Sequence, residues 1–125
     1  MQVILPASSA YFSVLRTTAA GLAARLNFTL DDIEDLRIAV DEACALLLPQ
    51  VAPNAELRCE FVLESDGLVM TVSAPTTRGS LPERDTFSWT VLTALAGEVD
   101  AGLGEGLTVW IRLHKRRDAA LGGDA

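Results

Sequence analysis

Residues 31–48 read DDIEDLRIAVDEACALLL and carry the clearest secondary-structure signal in the chain. Apolar residues recur there every three or four positions, which predicts an amphipathic helix with one face turned toward a core. Thr29 and Asp32 form a capping box for the first turn, and acidic residues cluster at the positive end of the helix dipole. Pro49 predicts the end of the helix. The apolar face consists of Ile33, Leu36, Val40, Ala43, Cys44 and Leu47.

Further elements are predicted on both sides of this helix. Residues 2–5 predict a short edge strand that Pro6 ends. Residues 9–26 predict a first helix, because their apolar positions form one stripe. Residues 57–63 and 68–72 alternate apolar and polar positions around a Ser-Asp-Gly turn, which is typical of a β-hairpin with one wet face.

The second half of the chain predicts a loop, a short helix and a last strand. Residues 74–86 contain prolines, glycine and mixed charges and predict the loop. Residues 87–96 predict a helix that is apolar nearly all round, and residues 107–113 predict the last strand, with the basic residues 114–117 solvated at its end. Helices on one face of a mostly antiparallel sheet make an α+β fold, a two-layer α/β sandwich.

Size and charge restrict the class of protein. The chain has 125 residues, half of them hydrophobic, which fits one globular domain and excludes a disordered protein. We expect this domain to span residues 1–117, followed by a flexible tail over residues 118–125. The formal net charge of -7 argues against direct nucleic-acid binding, which needs a basic surface, and favours a basic partner.

The apolar segments and the cysteines indicate the compartment. No run approaches the roughly 20 apolar residues that cross a bilayer, and the N-terminus does not resemble a signal peptide. We therefore expect a cytoplasmic protein without membrane contact. Cys44 and Cys59 lie within apolar patterns and are interpreted as buried free thiols, with a disulfide as the alternative. His114 is the only histidine, which excludes a histidine-rich metal site, and we expect it at the surface.

Two segments resemble a known family. Residues 32–44, DIEDLRIAVDEAC, are similar to the second helix of the RsbW/SpoIIAB anti-sigma kinases, which belong to the histidine-kinase-like ATPase superfamily with the Bergerat fold. Residues 85–96, DTFSWTVLTALA, are similar to the actinobacterial UsfX branch of that family. The resemblance implies a Bergerat-type sandwich and a sigma factor as partner. It also allows a STAS-type anti-anti-sigma factor as a second partner, and a homodimer.

The residues that hold ATP and Mg²⁺ in this family are altered here. Glu42 matches the family's general base. Leu46 stands where an asparagine would ligate the metal, and an alkyl side chain has no lone pair to offer Mg²⁺. Ala74 and Thr76 stand where the family carries the adenine-binding aspartate and the first glycine of an Asp-x-Gly-x-Gly motif. Phe87 falls in the region of the glycine-rich lid that wraps the phosphates.

These substitutions predict a nucleotide pocket that has decayed. At 100° per residue Glu42 lies opposite the apolar stripe of its helix, with an aliphatic residue one turn to either side. We therefore expect a collapsed pocket or a protein contact, without a bound cofactor or metal. Glu42 is either a vestigial catalytic base or an exposed helical glutamate. The remnant pocket consists of Ile38, Glu42, Leu46, Ala74, Thr76, Phe87 and Trp89.

Arg16 is the residue for which the resemblance implies a partner contact. The family's first helix carries an arginine at the interface with the sigma factor and the anti-anti-sigma factor. Arg16 borders the apolar stripe, so its guanidinium can reach a partner while its stem stays packed, although a plain surface arginine is the alternative. Asp35 and Asp41 are expected to be solvated or capping charges.

Three functions are compatible with the sequence. The first is an anti-sigma factor that sequesters a stress or developmental sigma factor and has degenerate ATP-binding motifs. The second is an enzyme of the same family, an ATP-dependent serine kinase of an anti-anti-sigma factor. The third is a regulatory domain that binds another small ligand in the remodelled pocket. The lost metal and adenine ligands favour the first.

Overall fold

The predicted central helix is present as α2, Leu30–Leu47, within one residue of its expected bounds. The protein is described by a computed structural model of residues 1–117, so the tail predicted over residues 118–125 lies outside the described residues. The Thr29 hydroxyl accepts a hydrogen bond from the Asp32 amide at 3.1 Å, which confirms the predicted N-cap. The buried face of α2 consists of Leu36, Ala39, Val40, Ala43, Cys44 and Leu47.

A shorter helix lies beside α2. This helix, α1, spans Phe12–Arg25 and follows a 3-10 turn over Ser9–Tyr11 that Ser8 caps. Asn27 has a φ of 61°, a left-handed conformation that asparagine tolerates and that ends the helix as predicted. The short connection makes α1 and α2 a helical hairpin. We use this name, the helical hairpin, for the two helices together.

Five strands form one sheet, with the predicted strand at residues 2–5 on one edge. The strands are β1 Gln2–Pro6, β2 Glu56–Leu63, β3 Gly67–Pro75, β4 Glu98–Leu103 and β5 Thr108–Arg116. The order across the sheet is β1-β2-β3-β5-β4, and every neighbouring pair is antiparallel. The predicted hairpin is β2 with β3, and the predicted short helix is α3, Phe87–Ala96.

The strand β4 is absent from the sequence-based prediction, which passed directly from the short helix to the last strand. Its six residues carry only two side chains turned toward the core, Val99 and Ala101, and both are half-buried. Gly102 interrupts the alternation further. Packing requires a glycine at this position, because a Cβ there would overlap the Trp110 indole on β5.

The helices cover one face of the sheet and leave the other open. Inward side chains of the three central strands are buried, whereas Arg58 and Glu60 on the open face are exposed. This arrangement confirms the predicted two-layer α+β sandwich, and both cysteines are buried and free, as predicted. None of the helices within residues 1–117 has the length and apolar character needed to span a bilayer. The inward side chains include Leu57, Cys59, Phe61, Met70, Val72, Val109, Ile111 and Leu113.

Candidate functional site

One side of α2 carries three of the residues assigned to the nucleotide pocket. Ile38, Glu42 and Leu46 follow each other at four-residue spacing, so they are neighbours on one helix face. Ile38 is 47% exposed, Glu42 is half-buried, and Leu46 packs against the hydrophobic core. Leu46, which the resemblance places at the metal-ligand position, is therefore an apolar packing residue.

Ala74 and Thr76 lie where β3 ends, at the expected place of the adenine-binding motif. Ala74 is buried and pairs with Val109 of β5. Thr76 is also buried, and its hydroxyl donates a hydrogen bond to the Leu107 carbonyl at 2.5 Å and accepts one from the Gly79 amide at 2.8 Å. Both hydrogen-bonding directions of this hydroxyl are thus used by the chain itself.

Gln50 holds the loop that follows β3, a role that the sequence analysis missed. Its side chain is buried; the amide nitrogen donates to the Ser80 carbonyl at 2.6 Å, and the amide oxygen accepts from the Ser80 amide at 2.9 Å. Its main-chain carbonyl accepts from the Thr77 amide at 2.8 Å. Together these bonds tie residues 77–80 to the C-terminal end of α2. A glutamine after a helix-ending proline gives no signal of a partner 30 residues away.

Phe87 and Trp89 begin α3 and have opposite environments. Thr86 caps the helix, since its hydroxyl accepts from the Trp89 amide at 3.2 Å. Trp89 is 6% exposed and lies beneath the Arg84 guanidinium, 4.7 Å from the ring centre, whereas Phe87 is 83% exposed. Two side chains assigned to one pocket therefore have different surroundings.

Surface clefts of about 490, 750 and 230 Å³ are present in the described chain. The first is lined by residues of β4 and β5 with Arg84, the second by the turns that precede α1 and β2, and the third by the ends of β1, β2 and β3. Of the seven residues assigned to the nucleotide pocket, Ala74 alone lines one of these three clefts. That the seven form a remnant pocket stays a prediction.

Arg16 and Asp41 pair across the helical hairpin. The Arg16 Nη1 donates to the Asp41 Oδ1 at 2.7 Å, and the two side chains are 30% and 42% exposed. Asp41 is partly exposed, as expected of a solvated charge, and the packing of the two helices also brings it opposite an arginine, which the sequence did not predict. The pair is therefore partly accessible from solvent.

Two bacterial proteins each match more than half of the chain. An anti-sigma-F factor RsbW of Mycobacterium tuberculosis is 36% identical over 87 residues, which make up 70% of this chain and 52% of that protein. A serine-protein kinase RsbW of Bacillus cereus is 35% identical over 75 residues, 58% of this chain and 47% of that protein. The chain belongs to the RsbW family. This confirms the resemblance found in residues 32–44.

The match to the RsbW family has a limited span. The chain spans about half the length of the curated relatives it matches, and no family model matches it. A crystal structure of the RsbU and RsbW domains of a Mycobacterium tuberculosis protein superposes with a TM-score of 0.68, over 94% of this chain and 32% of that one, at 16% identity. This likeness shows a shared fold. Placement of the chain in the UsfX branch stays a prediction.

The basic run at the end of β5 joins the two layers of this RsbW-family chain. The Lys115 Nζ donates to the Leu95 carbonyl in the last turn of α3 at 2.8 Å and lies 3.5 Å from Asp32 and 3.9 Å from Asp35 in α2. Arg117 donates to a carbonyl at the end of α1 at 3.2 Å. The expectation of a solvated run is wrong for Lys115 and Arg117, because the sheet places these two cations beside helix ends whose carbonyls accept their hydrogen bonds, whereas Arg116 is exposed as expected.

Ion pairs across the open side of the sheet lower the pKa values of two carboxyl groups. Arg116 donates to Glu98 at 2.7 Å, and this hydrogen bond lowers the pKa of the Glu98 carboxyl. A hydrogen bond of 2.9 Å from Arg84 lowers the pKa of Asp100 in the same way. His114 lies 3.8 Å from Glu98 and is 19% exposed, so it is more buried than expected. Within residues 1–117, no three His, Cys, Asp or Glu residues are grouped to hold a metal ion.

Proposed function

We propose that the chain is an anti-sigma factor that binds and sequesters an alternative sigma factor of the stress or developmental kind. The observation that carries the proposal is the 36% identity, over 70% of the chain, to a protein named anti-sigma-F factor RsbW. The activity is carried by a protein interface and requires no bound nucleotide.

The helical hairpin is the proposed interface. Arg16 is half-exposed on it, and arginine is enriched among the residues that dominate binding energy at protein interfaces. Ile38 is 47% exposed and lies on α2 three residues before Asp41, which Arg16 contacts, so it supplies apolar area beside the anchor. A partly exposed charged anchor with apolar area beside it suits a partner that presents carboxylates among apolar side chains.

The proposal includes loss of nucleotide chemistry, because the residues present do not fit Mg-ATP. Leu46 has no donor atom for a metal that demands oxygen ligands, and its side chain packs against the core. The Thr76 hydroxyl is committed to two main-chain partners, and Gln50 holds the adjacent loop against the end of α2. In this proposal Glu42 has no catalytic role, and the remnant pocket serves packing and protein contact.

The proposal extends to partners and location. A STAS-type anti-anti-sigma factor would compete for the same hairpin, and two copies of the chain would form a homodimer. A sigma factor acts with RNA polymerase, so the proposed location is the cytoplasm. Two buried free thiols are compatible with a reducing compartment.

Run-off transcription tests the anti-sigma function. Each purified sigma factor encoded by the genome that carries this chain is assembled with core RNA polymerase and titrated with the chain. We expect inhibition of one alternative sigma factor and no effect on the others. Inhibition of none of them would refute the proposal.

Arg16→Ala tests the interface within the same assay. The variant should weaken inhibition by more than about five-fold, which corresponds to about 1 kcal/mol, while its melting curve stays close to that of the parent. Arg58→Ala is the matched control, because Arg58 is an exposed arginine on the open face of the sheet. An equal loss of inhibition in the two variants would show that Arg16 is not part of the interface.

One observation favours the kinase alternative: the Bacillus cereus relative is named a serine-protein kinase. Glu42 also retains the acidic residue that the family uses as a base. Titration calorimetry with Mg-ATP separates the two functions. The proposal predicts no measurable heat of binding, whereas micromolar affinity would support the kinase and refute the loss of the nucleotide site.

A further inference from the structure

The contact between Arg16 and Asp41 occupies the residue proposed as the partner anchor. Within residues 1–117, Asp41 is the only residue to which the Arg16 guanidinium donates a hydrogen bond, through one Nη1–Oδ1 contact of 2.7 Å. Asp41 belongs to α2 and Arg16 to α1, so the contact holds the guanidinium toward the neighbouring helix. A partner that binds Arg16 must displace this carboxylate or share the guanidinium with it.

The internal contact is weaker than the contact that a partner carboxylate can make. A guanidinium can bind a carboxylate through two parallel hydrogen bonds, which are stronger and more directional than one. The internal contact uses one bond and is about one-third exposed, so solvent screens it and its net strength is small. A partner carboxylate that approaches in the paired geometry displaces Asp41, and its observed affinity is lowered by the cost of breaking the internal contact.

We infer that Asp41 is an internal competitor for Arg16 and lowers the affinity of the helical hairpin for every partner that binds through Arg16. The inference rests on the proposed sigma-factor interface. Because breaking the internal contact costs the same whichever partner displaces it, the affinity of each such partner falls by the same factor. Asp41 is a positioning residue that acts through Arg16 and does not touch the partner.

Asp41→Asn tests the competition. Asparagine keeps the size of the side chain and removes its charge, so the contact with Arg16 loses its electrostatic attraction without a change in packing. The variant is titrated calorimetrically with each purified sigma factor encoded by the genome that carries this chain. We expect affinity for the cognate sigma factor to rise about two- to five-fold, the range that a half-exposed ion pair allows. A sigma factor that does not bind through Arg16 should show no change in affinity.

Two further variants isolate the mechanism. Glu34→Gln removes the same charge from the same helix, at a residue whose nearest cation is Arg37 at 3.8 Å, so it measures the general effect of a less acidic surface. Asp41→Asn added to Arg16→Ala should bind no tighter than Arg16→Ala alone, because the competitor has lost its target. Melting curves confirm that all variants fold.

The outcomes distinguish failure of the inference about Asp41 from failure of the proposed anti-sigma function. If no sigma factor binds the parent chain, the proposed function is wrong and the inference falls with it. If the parent binds but Asp41→Asn leaves affinity unchanged or lowers it, the function stands and the inference is overturned. An equal gain from Glu34→Gln, or a gain that persists without Arg16, also overturns it.

Discussion

Replacing Gln50 with alanine should loosen the loop that follows β3 without unfolding the rest of the protein. The variant removes the two side-chain hydrogen bonds to Ser80, of 2.6 and 2.9 Å, and keeps the main-chain bond to Thr77. Each lost bond contributes about 1 kcal/mol net, and Ser80 is exposed, so water replaces its lost partners. The expected loss of unfolding free energy is therefore about 2 kcal/mol.

Urea unfolding and hydrogen exchange measure this effect. With a slope of about 2 kcal/mol per molar urea, the midpoint should fall by about 1 M. The Ser80 amide should lose its protection from exchange, because its acceptor is the Gln50 side chain. Gln2→Ala is the matched control at an exposed position on β1, with an expected change below about 0.5 kcal/mol. An unchanged midpoint together with a protected Ser80 amide would refute the assigned role of Gln50.

Three further predictions concern packing, pH and thiol chemistry. Gly102→Ala should lower the unfolding free energy by about 1–3 kcal/mol, measured by urea unfolding, because a Cβ there would overlap the Trp110 ring. Acidification should lower the melting temperature, because a hydrogen bond from Arg116 lowers the pKa of Glu98 from its usual 4.5. The stability that the ionised Glu98 carboxylate contributes is fully present above pH 4.5 and is lost as the pH falls through the lowered pKa of the folded state. Cys44 and Cys59 should resist Ellman's reagent until the protein is unfolded, because burial raises the pKa of both thiols, that of Cys59 to about 12.

Each of these predictions has a control or a contradicting result. Gly21→Ala makes the same change on α1, where a Cβ meets nothing within 4 Å, and should stabilise the protein by about 0.5–1 kcal/mol. Glu98→Gln should flatten the acid branch of the melting profile, and an unchanged profile would contradict the role of its ion pair. Rapid labelling of either cysteine in the native protein would contradict the buried position of that thiol.

Local signals in the sequence were sufficient for most of the fold. Thr29, Asn27 and Pro49 mark helix boundaries by their own chemistry, and the structure confirms these boundaries within a few residues. The strand β4 was not predicted because it is short and has only two half-buried inward residues. It also contains a glycine, Gly102, which is needed because a Cβ there would overlap the Trp110 ring on the next strand. Packing between strands, rather than a local pattern, makes this segment a strand.

Side-chain partners that are distant in sequence were not predictable. In the sequence Lys115 is one of four basic residues at the end of a strand, and only the fold brings it into contact with α2 and α3. Gln50 and Asp41 were missed as contact residues for the same reason, since their partners lie 30 and 25 residues away. The candidate site came from resemblance to a family, whereas the contacts that modify it became visible in three dimensions.

Titration of the cognate sigma factor with and without Mg-ATP tests the central claim most directly. The claim is that the chain holds a sigma factor through the helical hairpin and has no working nucleotide site. Calorimetry should give the same affinity for the sigma factor in both conditions, and no heat when Mg-ATP alone is injected. Binding that depends on Mg-ATP, or binding to none of the sigma factors of the source genome, would contradict the claim.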